Sequence, residues 1–139
     1  MKPIFVDTST LIALGNKNDA LHHQATMVIQ QLTVDKRHFI TTNAVLLELA
    51  NTFSQVRYKP LAIRLIEVIN HSAQWECLIV DKELMRRGLE LFEQRQDKDW
   101  SLVDCISMVV ANDFNITEIL TSDHHFTQAG FVILLKTAM

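Results

Sequence analysis

Apolar residues along this chain fall into two alternating patterns. Short, nearly continuous runs rich in Ile, Val, Phe and Thr recur at residues 3–7, 38–42, 77–80, 117–121 and 131–135, each with the length and composition of a buried β-strand. Between them, apolar residues return every three or four positions. The clearest case, at 43–56, sets Val45, Leu49, Phe53 and Val56 on one helical face. A short helix is expected at 10–14 and another at 19–32. Pro60 suits the first turn of a helix running through Ile63, Ile66 and Ile69, and two more helices are expected at 84–94 and 102–114. In the last of these, Leu102, Ile106, Val109 and Val110 read as a core-facing stripe. Strand–helix alternation of this kind predicts an α/β fold, because parallel neighbours need crossover connections and the crossing helices then cover the sheet.

Composition narrows the picture. With 139 residues, 48% of them hydrophobic, the chain can build a core without obligatory oligomerisation, and one domain over 1–139 is expected. Only three glycines and two prolines occur, and no repeat or linker divides the sequence. No apolar stretch reaches the length of a bilayer span, and Asp7 interrupts the first run before a signal-peptide core could form, so a soluble, cytoplasmic protein is expected. Cys77 and Cys105 lack any metal-ligand spacing and read as buried free thiols. The net charge of −3 lacks the signature of a general nucleic-acid binder. Arg57, Lys59, Arg64, Arg86, Arg87, Arg95 and Lys98, with Tyr58 as a stacking ring, nevertheless offer cations to an RNA strand, although most such charges are only a solvated helix face.

The chain has no Gly-x-Gly-x-x-Gly turn, no phosphate-binding Gly-Lys-Ser/Thr loop and no Gly-x-Ser-x-Gly elbow, which removes three common α/β chemistries. Asp7 is followed by Thr8 and Ser9, so the second aspartate that an aspartyl-phosphate phosphatase needs two positions on is missing. A phosphoacceptor receiver built on Asp81 lacks its acidic pair. Four carboxylates stand out instead. Asp7 and Asp123 close apolar strands, where α/β sites usually open, and Glu48 and Asp104 fall near the starts of helices. Such hard oxygen ligands suit Mg²⁺ or Mn²⁺ rather than zinc. Two carboxylates about 4 Å apart repel by roughly 4 kcal/mol at an effective dielectric near 20, so a converging set calls for a cation. Taken singly, each acid has a purely local reading: Asp7 and Asp123 as helix N-caps, Asp104 as the partner of Ser101 in a capping box, Glu48 as a solvated helix residue.

Four segments in order, Val6-Asp7-Thr8-Ser9, Thr42-Asn43-Ala44-Val45-Leu46-Leu47-Glu48, Asp99-Trp100-Ser101-Leu102-Val103-Asp104-Cys105 and Thr121-Ser122-Asp123-His124-His125-Phe126, resemble the motifs of the PIN domain, and in particular those of VapC-type toxins. The resemblance covers essentially the whole chain. It implies a three-layer α/β/α sandwich with a five-stranded parallel sheet of order 3-2-1-4-5, and a Mg²⁺- or Mn²⁺-dependent endoribonuclease. It carries the acidic, metal-holding catalytic set over to Asp7, Glu48, Asp104 and Asp123, with Ser9 and Ser101 as supporting groups. It further implies an RNA substrate, a small antitoxin partner and a homodimer. The alternative is a non-catalytic RNA-binding or scaffolding PIN domain. In the implied strand order Asp81 ends an edge strand roughly 10 Å from Asp7, so it is expected to be only an N-cap. Asp99, next to the third motif, reads either as a cap of the following helix or as a residue reaching the groups that hold the metal, and capping is the expected role. The pairs His22-His23 and His124-His125 are assigned no role, since helical neighbours point about 100° apart.

Overall fold

The structure, a computed structural model, describes residues 1–136; residues 137–139 of the expected domain lie outside the described residues. Five strands, β1 (Ile4–Val6), β2 (Phe39–Thr42), β3 (Trp75–Leu78), β4 (Glu118–Leu120) and β5 (Val132–Ile133), form one sheet of order β3-β2-β1-β4-β5. Every pairing is parallel. The helices are α1 (Thr8–Gly15), α2 (His22–Val34), α3 (Asn43–Thr52), α4 (Lys59–His71), α5 (Lys82–Gln94), α6 (Leu102–Asp113) and α7 (His124–Gln128). The order and all-parallel topology match the expected α/β architecture.

Burial follows position in the sheet. Ile4, Phe5 and Val6 of central β1 are fully buried, whereas edge strand β3 is buried only in part. The chain lays down β1, β2 and β3 outward on one side, then crosses back to place β4 beside β1, in the register Phe5↔Ile119 and Val6↔Leu120. Successive connections leave β1 and β4 in opposite directions, which opens a crevice at their carboxyl ends, the switch point where α/β folds gather ligands.

Several expected boundaries move. The strand expected at 77–80 lies at Trp75–Leu78, because Trp75 sits opposite Phe39 and stacks on it at 4.8 Å, while Ile79 beyond the strand is exposed. Cys77 is consequently half-buried; Cys105 is buried as expected. The helix expected at 43–56 stops at Thr52. Phe53 leaves the helix to stack on Tyr58 at 5.8 Å, and Val56 is exposed rather than on a core face. The helix expected from residue 19 begins at His22, because the Asp19 carboxylate accepts the Leu21 N–H in a turn. In α6, Ile106 and Val110 are buried and Leu102 and Val109 half-buried, a core helix as expected. It packs closely against α5, where a side chain on Gly88 would come within 2.5 Å of the Ile106 side chain.

Candidate metal centre

The carboxyl end of β1 turns directly into α1, with Asp7 at the N-cap position. Its side chain makes no capping hydrogen bond. It points instead toward β4: the Thr121 hydroxyl donates to Asp7 Oδ2 at 2.8 Å, and the Asp7 N–H donates to the Leu120 carbonyl at 3.1 Å. Thr121 is shared further, with Ser9 Oγ at 2.9 Å and with the Asp123 N–H, which donates to it at 3.0 Å. Ser9 Oγ in turn accepts the Ser122 N–H. This hydroxyl network, Ser9 included, fixes the adjacent strand ends against each other.

Asp104 arrives from α6. Ser101 N-caps that helix, its hydroxyl accepting the Asp104 N–H at 3.0 Å while Asp104 Oδ2 accepts the Ser101 N–H at 3.1 Å. The capping box is therefore real, and it also orients a buried carboxylate toward the crevice. Asp123, half-buried, is itself the N-cap of α7 and accepts the His125 N–H at 2.9 Å. For Asp104 and Asp123 the local reading and the site reading hold together. Trp100, just before the box, is buried and donates its indole N–H to Gln128 at the end of α7, which ties the third motif to the fourth. Glu48 reaches the cleft from the middle of α3 and accepts a hydrogen bond from the Thr8 hydroxyl.

These groups line one open cleft of about 540 Å³ that, among the described residues, contains five carboxylates, those of Asp7, Glu48, Asp99, Asp104 and Asp123, and no Lys or Arg. Asp99 therefore faces the cleft; the cap position expected for it belongs to Ser101. The tightest grouping differs from the expected four acids. Donor atoms of Asp104, Asp123 and His125 lie within 4.8 Å of one another, with Asp7 and Glu48 outside that group but in the same cleft. His125 Nδ1 stands 3.1 Å from Asp104 Oδ2 and 3.3 Å from Asp123 Oδ1. Ionised carboxylates only accept, so Nδ1 is the protonated nitrogen in this arrangement.

His125 is the residue that sequence reasoning missed. Helical neighbours do diverge, but only one of the pair needs to face inward, and the second residue after an N-capping aspartate lies beside the capping carboxylate. Thr8 and Thr121 were missed as well; their signal is a hydroxyl residue at the strand end, next to or two before the acid.

Burial pushes the Asp7 carboxyl up to about 7; the Thr121 hydroxyl opposes this, and the charges of Asp104 and Asp123 add to it. A buried acid held near neutrality by its surroundings, in a cleft without a basic side chain other than His125, fits a divalent cation that would supply the missing charge. Carboxylate oxygens suit Mg²⁺ or Mn²⁺. The imidazole nitrogen removes the ground for setting zinc aside on ligand type alone.

Residues 4–132 match the PIN domain family model. The chain is 30% identical over 129 residues to the 23S rRNA-specific endonuclease VapC20 of Mycobacterium tuberculosis, covering 93% of this chain and 95% of that protein. The crystal structure of the same M. tuberculosis protein, described as a sarcin-ricin loop cleaving toxin, superposes with a TM-score of 0.80 at 29% identity, covering 93% of this chain and 96% of that one. FitAcB from Neisseria gonorrhoeae shares the fold, with a TM-score of 0.67 at 13% identity over 95% of this chain and 96% of that one.

Proposed function

The chain belongs to the PIN-domain family, and from that premise we propose that it is a metal-dependent endoribonuclease acting as the toxin of a toxin–antitoxin pair. The observation that carries this reading is the cleft itself, five carboxylates without a lysine or arginine at the switch point of the sheet. In this reading Asp7, Glu48, Asp104 and Asp123 hold Mg²⁺ or Mn²⁺. The bound cation supplies charge stabilisation at the scissile phosphate and a water of lowered pKa. The chain's own groups do the rest. Thr121 and Ser9 fix the Asp7 carboxylate, Thr8 fixes Glu48, and the Ser101 backbone and His125 hold Asp104 in one orientation. His125 acts here as a positioning residue shared between Asp104 and Asp123. Asp7 must give up its proton for the site to reach full charge.

VapC20 is named for cleaving 23S rRNA; a structured RNA is accordingly the substrate class proposed for this chain. A small antitoxin that covers the acidic cleft, a homodimeric assembly, a single domain over 1–139 and action in the cytoplasm belong to the same proposal. Among the described residues, no helix is long and apolar enough to cross a membrane.

Incubation of a mixed RNA pool with purified protein in Mg²⁺, Mn²⁺ or EDTA, beside Asp104→Asn, tests the reading. Cleavage that needs metal and vanishes in the variant is expected. A folded, metal-loaded protein that binds RNA but never cuts it would instead identify a non-catalytic RNA-binding domain.

A further inference from the structure

An acidic cleft repels the polyanion it is proposed to cut, so the grip on RNA has to come from elsewhere on the surface. The arginines show where. Arg37 pairs with Glu118, Arg86 with Glu83 and Glu90, Arg87 with Asp113 and Arg95 with Asp97. The remaining two, Arg57 and Arg64, have no carboxylate partner among the described residues, and both line one cleft of about 400 Å³ between the end of α1 and the start of α4. Lys17 lines it too, and no acidic residue among the described ones does. The Arg57 guanidinium lies over the Tyr58 ring, 5.4 Å from its centroid, and Tyr58 is itself braced by Phe53. The ring holds the guanidinium plane in place, and such a plane is a platform on which an unpaired base stacks.

We propose that this cleft is a binding site for the substrate strand, with Arg57, Arg64 and Lys17 holding backbone phosphates and the Arg57–Tyr58 stack taking one base. The proposal rests on the ribonuclease reading above. Its placement fits that reading. Helix α1 borders both clefts, Ile12 lining the acidic one and Gly15 the basic one, about 4.5 Å apart along the helix axis at 1.5 Å per residue. A strand crossing α1 therefore meets both. An acidic peptide would satisfy the cations but has no flat ring for the stack.

The test measures binding of a short fluorescein-labelled single-stranded RNA by anisotropy in EDTA, where nothing is cut, across a salt series, and separately kcat and KM for cleavage with Mn²⁺. The variant is Arg57→Ala with Arg64→Ala, both exposed positions, with Arg86→Ala as control and Arg57→Lys to keep the charge while losing the plane. The double variant is expected to bind about tenfold or more weakly, to lower the slope of log affinity against log salt by about 1.4, and to raise KM while leaving kcat within about twofold. Arg57→Lys should keep the salt slope and lose part of the affinity. Wild-type affinity and slope in the double variant, with cleavage intact, would overturn the proposal and leave the nuclease standing. Loss of binding to an oligoglutamate peptide, with RNA binding unchanged, would overturn it in favour of an acidic peptide. Wild-type protein that neither binds nor cuts RNA would overturn both readings.

Discussion

Asp7 follows β1 directly and Asp81 follows β3 after Ile79 and Val80, each at the N-cap position of the next helix, and the two carboxylates do opposite things. Asp81, after β3, is exposed and accepts the Leu84 N–H at 2.8 Å, the ordinary work of a cap. Asp7, after β1, is 4% exposed, makes no capping bond and turns to Thr121 on a neighbouring strand. In the sequence each aspartate follows an apolar pair, Phe5-Val6 and Ile79-Val80. Sheet order makes the difference: β3 lies at the edge, while β1 lies between β2 and β4 and so meets the fourth motif. One aspartate stabilises its helix; the other is destabilised by its surroundings and, in the proposed reading, is there for the cation.

The largest expected effect separates the two directly. Asp7→Asn should lower Mn²⁺-dependent RNA cleavage by on the order of 10³-fold, whereas Asp81→Asn should leave kcat/KM near the wild-type value; single-turnover cleavage of one defined RNA checks both.

Next in size is the effect of pH on the metal-free protein. The Asp7 carboxyl titrates near 7 when folded and near 3.8 when unfolded. Between those values the folded state holds more protons, so the contribution of this group to stability is greatest at low pH and falls as pH rises from about 4 to about 7. The size is roughly 4 kcal/mol at most, and Asp7→Asn should remove that pH dependence. Urea unfolding in EDTA at several pH values measures it. Asp81→Asn should keep it.

Replacing His125 with Ala should weaken metal binding by about 10- to 100-fold, because two carboxylates lose a shared donor; calorimetric titration with Mn²⁺ reads this. Smallest, Asp81→Ala should cost about 1 kcal/mol of stability through its lost cap, seen as a lower urea midpoint at every pH and with no change in cleavage.

Much of the fold was legible in the sequence because it depends on local pattern. The apolar runs that became β1, β2 and β4 stand where their composition put them, and the strand-end rule pointed to Asp7 and Asp123, which line the cleft, but equally to Asp81, which caps a helix outside it. The errors arose where a distant partner decides. Residues 77–80 are a continuous apolar run, but register with Phe39 moves the strand to Trp75. The helical spacing of four, four and three through Val45, Leu49, Phe53 and Val56 continues in sequence after the helix has ended to let Phe53 meet Tyr58. Local pattern also could not show that His125 reaches Asp104, 21 residues away, or that Thr121 bridges to Asp7, 114 residues away. The strand order that separates Asp7 from Asp81 came from likeness to a family, not from spacing.

The most direct measurement is calorimetric titration of Mn²⁺ into wild-type, Asp7→Asn and Asp81→Asn proteins at pH 6 and pH 8. If the end of β1 is a metal centre and the end of β3 only a cap, wild type and Asp81→Asn bind alike, more tightly at pH 8, with proton release at pH 6, and Asp7→Asn loses most of the affinity. Equal binding by all three proteins, or none by any of them, would contradict the account.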